Sequence, residues 1–268
     1  MFKSGDKSLC NNYRPISILS HIAKVFERLV HVRLSSFLEK NNIVSNFQLG
    51  FRPAHSTQHA INYSHEKFLQ ALDNNEHVAA VFLDSSKAFD IVNHEILLCK
   101  LQKYGVHGMT SDFFHSYLSN RCHCQFTKFG ETESSRLNTT CGVPQGSILD
   151  PLLFLLYIND LPQASAFQPV LFADDTCLFS KSNCMRTVQA AVNGKIKHVN
   201  DWLISNKLTL NCSKTKFVVL TRSHELQKIK INVVARTVEE VNQVKIDLFQ
   251  REPSKRNVEN IQCNMQRP

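Results

Sequence analysis

Two adjacent carboxylates set between apolar runs constrain this chain more than any other feature. Val170, Leu171 and Phe172 precede Asp174-Asp175, and Leu178 and Phe179 follow them. Strand-forming flanks around a short acidic turn predict a β-hairpin that presents the Asp pair at its tip. Two like charges side by side repel each other unless a cation is present, and hard oxygen donors suit Mg²⁺. An exposed acidic turn is the plainer alternative, because Asp is a common turn residue. A second acidic position shifts the balance. His77 to Asp84 reads HVAAVFLD, a short apolar run ending in a carboxylate. It predicts a buried strand with Asp84 at its carboxyl end. Two strand-borne acidic positions could converge and hold two metal ions, which stabilise the attacking and leaving oxygens of a phosphoryl displacement.

The 268 residues suffice for one large domain or two small ones with a sizeable core. A formal net charge of +8 is compatible with a polyanionic partner, although many basic proteins bind none. Nine cysteines without a paired pattern indicate a reducing, intracellular compartment, with nucleus and cytoplasm not distinguished. Cys122-His123-Cys124 lacks the second ligand pair of a zinc finger. MFKSGDKSLC contains no apolar stretch of a secretory signal. The longest apolar run, Leu152 to Ile158, is too short to span a bilayer, so no membrane partner is expected.

Ser20 can cap a helix in which Ile22, Val25, Phe26, Leu29 and Val32 form one apolar stripe. Lys24, Glu27, Arg28, Arg33 and Lys40 lie mostly off that stripe. Gly50-Phe51-Arg52-Pro53 marks a turn, and Ala60 to Leu72 reads as a helix. Asp90 suits an N-cap or a salt bridge. Asn93 can cap a helix running to Tyr104, with Gly105 as its stop, and another helix starts at Ser111. Cys122 to Phe129 and Ser134 to Thr140 are strand-like around a polar turn. In Gly142-Val143-Pro144-Gln145-Gly146-Ser147 the glycines let the backbone approach a ligand. Asp150-Pro151 opens a helix whose all-round apolar residues, Leu152 to Tyr157, require burial. Val188, Val192, Ile196, Val199 and Trp202 make an amphipathic helix, with Trp202 a core residue rather than a base-stacking platform. Lys214-Thr215-Lys216 leads into a strand from Phe217 to Leu220.

Six blocks in a fixed order carry a family resemblance: NNYRPISILSHIAKVFERLV, GFRPAHSTQHA, FLDSSKAFDIVNHEIL, GVPQGSILDPLLFLLYINDL, FADDT and NKLTLNCSKTKF. From about Asn11 to Arg222 the chain resembles the reverse transcriptase domain of non-LTR retrotransposons of the LINE and jockey-like kind. The resemblance implies an α+β fold of right-hand polymerase fingers and palm. The palm would be an antiparallel sheet packed on helices, with the thumb absent or truncated. The implied divisions are fingers at 10–75, a palm with the catalytic carboxylates at 76–222, and a degenerate, poorly ordered tail at 223–268. No upstream endonuclease block is visible, so the sequence reads as a fragment or a decayed copy.

The resemblance also implies RNA-directed DNA polymerase chemistry. A deoxynucleoside triphosphate (dNTP) is joined to the 3′-hydroxyl of a DNA primer on an RNA template, with Mg²⁺ or Mn²⁺ as cofactor. Asp84, Asp174 and Asp175 are then the catalytic metal ligands, Asp175 the more peripheral. Arg52 is expected at the triphosphate, which a guanidinium can grip bidentately. Phe89 is expected to close against the sugar 2′ position, or else to be a core aromatic. Gln145 and Gly146 would touch the nascent base pair, and Lys214 or Lys216 would protonate the departing pyrophosphate. The basic positions of the first helix would be either a solvated face or a template contact. Two positions depart from the family pattern: Ser85 stands where an apolar residue is usual, and Asp150 where Gly is usual. A carboxylate at 150 would repel template phosphates passing nearby. Two rival readings remain. One is a catalytically inactive nucleic-acid-binding remnant. The other is a two-metal nuclease, which explains the carboxylates but not the GVPQG loop.

Overall fold

The computed structural model describes residues 2, 5–9, 12–13, 17–85, 88–119, 128–129, 131–135, 141–164, 168–222, 229–233 and 236–241. The helices are α1 (His21–Lys40), α2 (Thr57–Asp73), α3 (His94–Lys103), α4 (Met109–Ser119), α5 (Asp150–Ile158), α6 (Leu161–Ala164) and α7 (Met185–Ser205). The strands are β1 (His77–Leu83), β2 (Lys128–Phe129), β3 (Thr132–Glu133), β4 (Gln168–Phe172), β5 (Asp175–Ser182), β6 (Lys216–Leu220), β7 (Asn232–Val233), β8 (Arg236–Thr237) and β9 (Glu239–Glu240). A 3-10 turn spans Ala88–Ile91.

β1 is the middle of a five-stranded sheet of order β4-β5-β1-β6-β9. Its run of apolar residues lacks alternation because both faces are covered. Ala79, Val81 and Leu83 belong to the large core with α5 and α7, while Val78 and Ala80 meet residues of α2 on the other face. β4, β5, β1 and β6 pair antiparallel, as expected. The fifth strand departs from that pattern, since β9 joins β6 in parallel with Lys216 opposite Glu239. This edge comes from the segment expected as a poorly ordered tail, where Ile229, Ile231 and Val238 are also buried. Residues 242–268 lie outside the described residues.

Local signals place the starts of α1 and α3. Ser20 Oγ accepts from Ala23 N at 3.2 Å, and Asn93 Oδ1 accepts from Ile96 N at 3.0 Å. α4 begins at Met109, two residues before the expected Ser111. α5 is buried from Leu152 to Ile158, as its composition requires. Its N-cap is Leu149, not Asp150, which is the first helical residue and is itself buried. The expected repulsion of template phosphates by Asp150 therefore loses its basis. The Cys122–Thr140 hairpin is described only where Lys128–Phe129 pairs with Thr132–Glu133. Cys122-His123-Cys124 lies outside the described residues.

α1 corrects the stripe reading. Ile22, Val25, Phe26, Leu29 and Val32 face solvent, between 52% and 83% exposed. The buried face carries Glu27, Leu34 and Leu38, flanked by Val30 and Phe37. Among the described residues no helix is long and apolar enough to cross a membrane.

Candidate active site

The β4–β5 hairpin is as tight as the sequence requires. Phe172 pairs with Asp175, leaving Ala173-Asp174 as the turn. Ala173 adopts φ +57°, a left-handed conformation that costs energy for a residue with a Cβ. In the neighbouring pair Leu83 stands opposite Thr176. Asp84 is the next residue along, so it reaches the same sheet edge as Asp174-Asp175. Its carbonyl accepts from Asn211 N at 2.8 Å. Its Oδ2 lies 3.2 Å from Asn211 Nδ2 and 3.3 Å from Lys214 Nζ. Asp174 borders a small recess with Leu83, Ser85, Phe154 and Trp202. The register thus brings the two acidic positions together. Among the described residues, however, no group of three His, Cys, Asp or Glu side chains is close enough to hold a metal ion. The Lys214 ammonium supplies positive charge at Asp84. The donor set is all carboxylate oxygen, which fits a hard divalent cation rather than a thiophilic one.

A second segment holds the Asp turn from the side. Leu171 N donates to Phe47 O at 3.0 Å, and Leu49 N donates to Leu171 O at 2.8 Å. Gln48 is 1% exposed. Its Oε1 accepts from Gly50 N at 2.8 Å and from Ala173 N at 3.3 Å, and its Nε2 is buried with no hydrogen-bond partner among the described residues. A Cβ on Gly50 would stand 2.2 Å from Ala173 N, so only glycine allows this approach. Arg52 Nη1 donates to Ser45 O at 3.2 Å and to Gln48 O at 3.3 Å. The guanidinium therefore braces the loop that braces the Asp turn. Sequence reasoning missed Gln48. The one local signal was Gly50, two residues on, whose need for close approach implies a neighbouring backbone.

The GVPQGS loop is tied to the turn after β1. Gly142 N donates to Val92 O at 2.7 Å, and Val143 N donates to Phe89 O at 2.9 Å. Gly142 has φ +88° and would place a Cβ 2.7 Å from Asp90 O. Gln145 Nε2 donates to Asp90 Oδ1 at 2.8 Å. Asp90 is thus a tether for the loop rather than a helix cap or an ion-pair partner. Phe89 is buried, with its ring centroid 4.4 Å from that of Phe154. Gly146 is exposed and Gln145 half-exposed. Lys216 opens β6 opposite Phe82.

A family model described as reverse transcriptase (RNA-dependent DNA polymerase) matches residues 3–253. The chain is 35% identical over 218 residues to the probable RNA-directed DNA polymerase from transposon X-element of Drosophila melanogaster, a match covering 78% of this chain and 23% of that protein. It is 28% identical over 236 residues to the RNA-directed DNA polymerase from mobile element jockey of Drosophila funebris, covering 83% and 25%. The chain therefore spans about a quarter of the length of these relatives. Among solved structures, telomerase from Candida tropicalis with a TWJ fragment of telomeric RNA aligns at a TM-score of 0.54 and 13% identity, over 72% of this chain and 33% of that one. At that identity the likeness speaks for the fold alone, a polymerase palm with fingers. With the family model covering nearly all of its described length, the chain belongs to the reverse transcriptase (RNA-dependent DNA polymerase) family, and polymerases of non-LTR retrotransposons are among its relatives.

Proposed function

We propose that this chain is the RNA-directed DNA polymerase domain of a mobile element, adding deoxynucleotides to a DNA primer on an RNA template. The observation that carries the proposal is the register of β1 and β5, with Leu83 opposite Thr176, which sets Asp84 at the same sheet edge as Asp174 in the turn and Asp175 at the start of β5. In this reading residues 10–75 act as fingers, 76–222 as palm and 223–268 as a degenerate tail. Reverse transcriptases work with divalent metal ions. Here Asp84 and Asp174 would hold Mg²⁺ or Mn²⁺, with Asp175 the more peripheral ligand. When bound, the metal supplies a more acidic primer hydroxyl and charge neutralisation on the triphosphate.

The chain's own residues supply the rest. The primer 3′-oxygen forms its bond to the α-phosphorus as the bond to the β-phosphate oxygen breaks. The hydroxyl proton passes to solvent water, and pyrophosphate gains a proton from Lys214 or Lys216. Lys214 is in ionic contact with Asp84, which keeps a proton donor at the reacting edge. Arg52 brings a permanent positive charge to the loop beside the Asp turn, where a triphosphate would lie. Phe89, packed on Phe154 in the core, would bear on the sugar 2′ position only through its exposed edge. Gln145 and Gly146 offer the exposed part of their loop to the nascent base pair.

The inactive-remnant reading draws on one observation, the Lys214 ammonium at Asp84 where a catalytic cation would be needed. One assay separates the readings: extension of a labelled DNA primer on RNA with dNTPs and Mg²⁺ or Mn²⁺, for the chain and for Asp174→Ala. Metal-dependent extension abolished by Asp174→Ala supports the polymerase. Binding of primer-template without extension would leave the remnant, and shortening of the primer would indicate a nuclease.

A further inference from the structure

Glu27 is a carboxylate buried in the core-facing side of a helix that exposes most of its apolar residues. It is 1% exposed. A charge in that position is costly unless its oxygens are met by donors. Three donors among the described residues meet them. Tyr117 Oη donates to Oε1 at 2.8 Å, Ser147 Oγ donates to Oε2 at 2.8 Å, and Ile148 N donates to Oε2 at 2.9 Å. This is the donor inventory that an acceptor-only carboxylate takes. Ser147 Oγ in turn accepts from Leu149 N at 3.1 Å. Two of the three donors belong to the end of the GVPQGS loop, about 120 residues from Glu27 in sequence.

The other end of the same loop is fixed to the turn after β1 by Gly142, Val143 and Gln145. The Gln145 carbonyl also accepts from Ser17 N at 2.8 Å, just ahead of α1. Gln145-Gly146 therefore bridges two anchorages, one on the turn that follows β1 and the other on α1. Glu27 is the α1 anchorage. Charge-assisted hydrogen bonds are short and directional, so they fix the height of the loop more tightly than apolar contact would.

We infer that Glu27 is a positioning residue that sets the height of Gln145-Gly146 against the nascent base pair, and so sets nucleotide discrimination. The inference deepens the polymerase reading and rests on it for its kinetic consequence. Glu27 is buried, so its effect on the loop is indirect. It acts through Ser147 and Ile148, with Tyr117 holding its second oxygen.

The test is single-nucleotide insertion on an RNA template by the wild-type chain, Glu27→Gln, Tyr117→Phe and the double variant. Glu27→Gln replaces an acceptor oxygen by an amide donor that faces hydrogen-bond donors. The expected result is a rise in dNTP KM of about tenfold and a similar loss of discrimination against mispaired nucleotides, with kcat changed much less. Tyr117→Phe removes one hydroxyl and keeps the ring, so it remains informative if Glu27→Gln folds poorly. It should shift KM in the same direction, and the double variant should be no worse than Glu27→Gln alone, because the residues act as one unit. Unchanged KM and mispair ratio in both single variants, or effects that simply multiply in the double variant, would overturn the inference.

If the wild-type chain extends no primer, the polymerase reading has failed and the anchorage is judged by amide hydrogen exchange. Exchange in Glu27→Gln should then accelerate at Gly146 to Leu149 while β1 and β5 keep their protection. Uniform acceleration, or none, would overturn it.

Discussion

α1 and α7 are helices of similar length with apolar residues at helical spacing, yet they use them in opposite ways. α7 buries Met185, Val188, Val192, Ile196, Val199 and Leu203 against the sheet, where it meets β5 and β1. α1 leaves Ile22, Val25, Phe26, Leu29 and Val32 in solvent, and seats itself through Leu34, Leu38 and Glu27. Periodicity reports that one face is apolar. Whether that face is covered depends on what the rest of the chain puts opposite it. The contrast has a measurable consequence. Ile196→Ala should cost about 2–5 kcal/mol of stability, because it opens a cavity in a packed core. Leu29→Ala should stay within about 0.5 kcal/mol, because its side chain is already hydrated. Urea unfolding of the two variants decides the matter. Equal losses would mean that the α1 stripe is covered in solution and that the contrast fails.

The second expectation moves to the charge that α1 does bury. Glu27→Leu removes the acceptor of the Tyr117 and Ser147 hydroxyls and of Ile148 N, and should cost about 1–3 kcal/mol. Glu39, exposed on the same helix, should tolerate the same change within about 0.5 kcal/mol. A Glu27→Leu variant as stable as wild type would show that the carboxylate is kept for the loop and not for the fold.

The features legible in the sequence were those that local chemistry settles. An acidic pair between strand-forming runs gave the hairpin, and all-round apolarity gave the burial of α5. Ser20 and Asn93 announced their helices because a cap bonds a residue three positions away. What was illegible depends on partners distant in the chain. Gln48 reaches Ala173 across 125 residues, and Glu27 reaches Ser147 across 120. Glu27 did leave a trace. Ala23, Glu27, Val30, Leu34 and Leu38 recur at helical spacing, a second stripe with a carboxylate inside it. The neighbouring stripe is apolar throughout and is the stronger periodic signal. The parallel β9 edge is two residues long, too short to leave a pattern.

α7 has its own buried charge nearby, although not its own residue. Trp202 lies with its ring 4.8 Å from Lys100 Nζ, which bonds Tyr157 O and Asp160 Oδ1, both at 2.6 Å. Burial pulls the Lys100 pKa below its ordinary 10.5, against the opposing pull of Asp160. Between the folded pKa and 10.5 the unfolded chain holds the proton and the folded chain does not. Stability from this group therefore rises with pH across that window. Tyr104 acts in the opposite sense. Burial pushes it up to about 12, so its contribution is present below pH 10 and lost as pH climbs through about 12. Lys100→Met keeps Tyr104, so the difference between wild-type and variant stability isolates the lysine. That difference should move toward wild type as pH rises, and a pH-independent difference would refute the assignment.

The smallest effect separates the two faces of β5 and α7 by reactivity rather than stability. Cys177, inside β5, is buried, and burial pushes its thiol up to about 12. Cys184, just ahead of α7, is exposed, and hydrogen bonds with the Thr187 backbone, Thr187 side chain and Arg186 backbone draw its pKa below the ordinary value. The thiolate is the nucleophile, so a lowered pKa raises its fraction at neutral pH. Under limiting iodoacetamide, peptide mapping should find Cys184 modified ahead of the exposed Cys99 and Cys141, with Cys177 untouched until the chain is unfolded. Early modification of Cys177 would mean that the sheet opens on the alkylation timescale. The cover that distinguishes α7 from α1 would then be looser than its packing implies, because a covered face that admits reagent differs from an uncovered one only in rate.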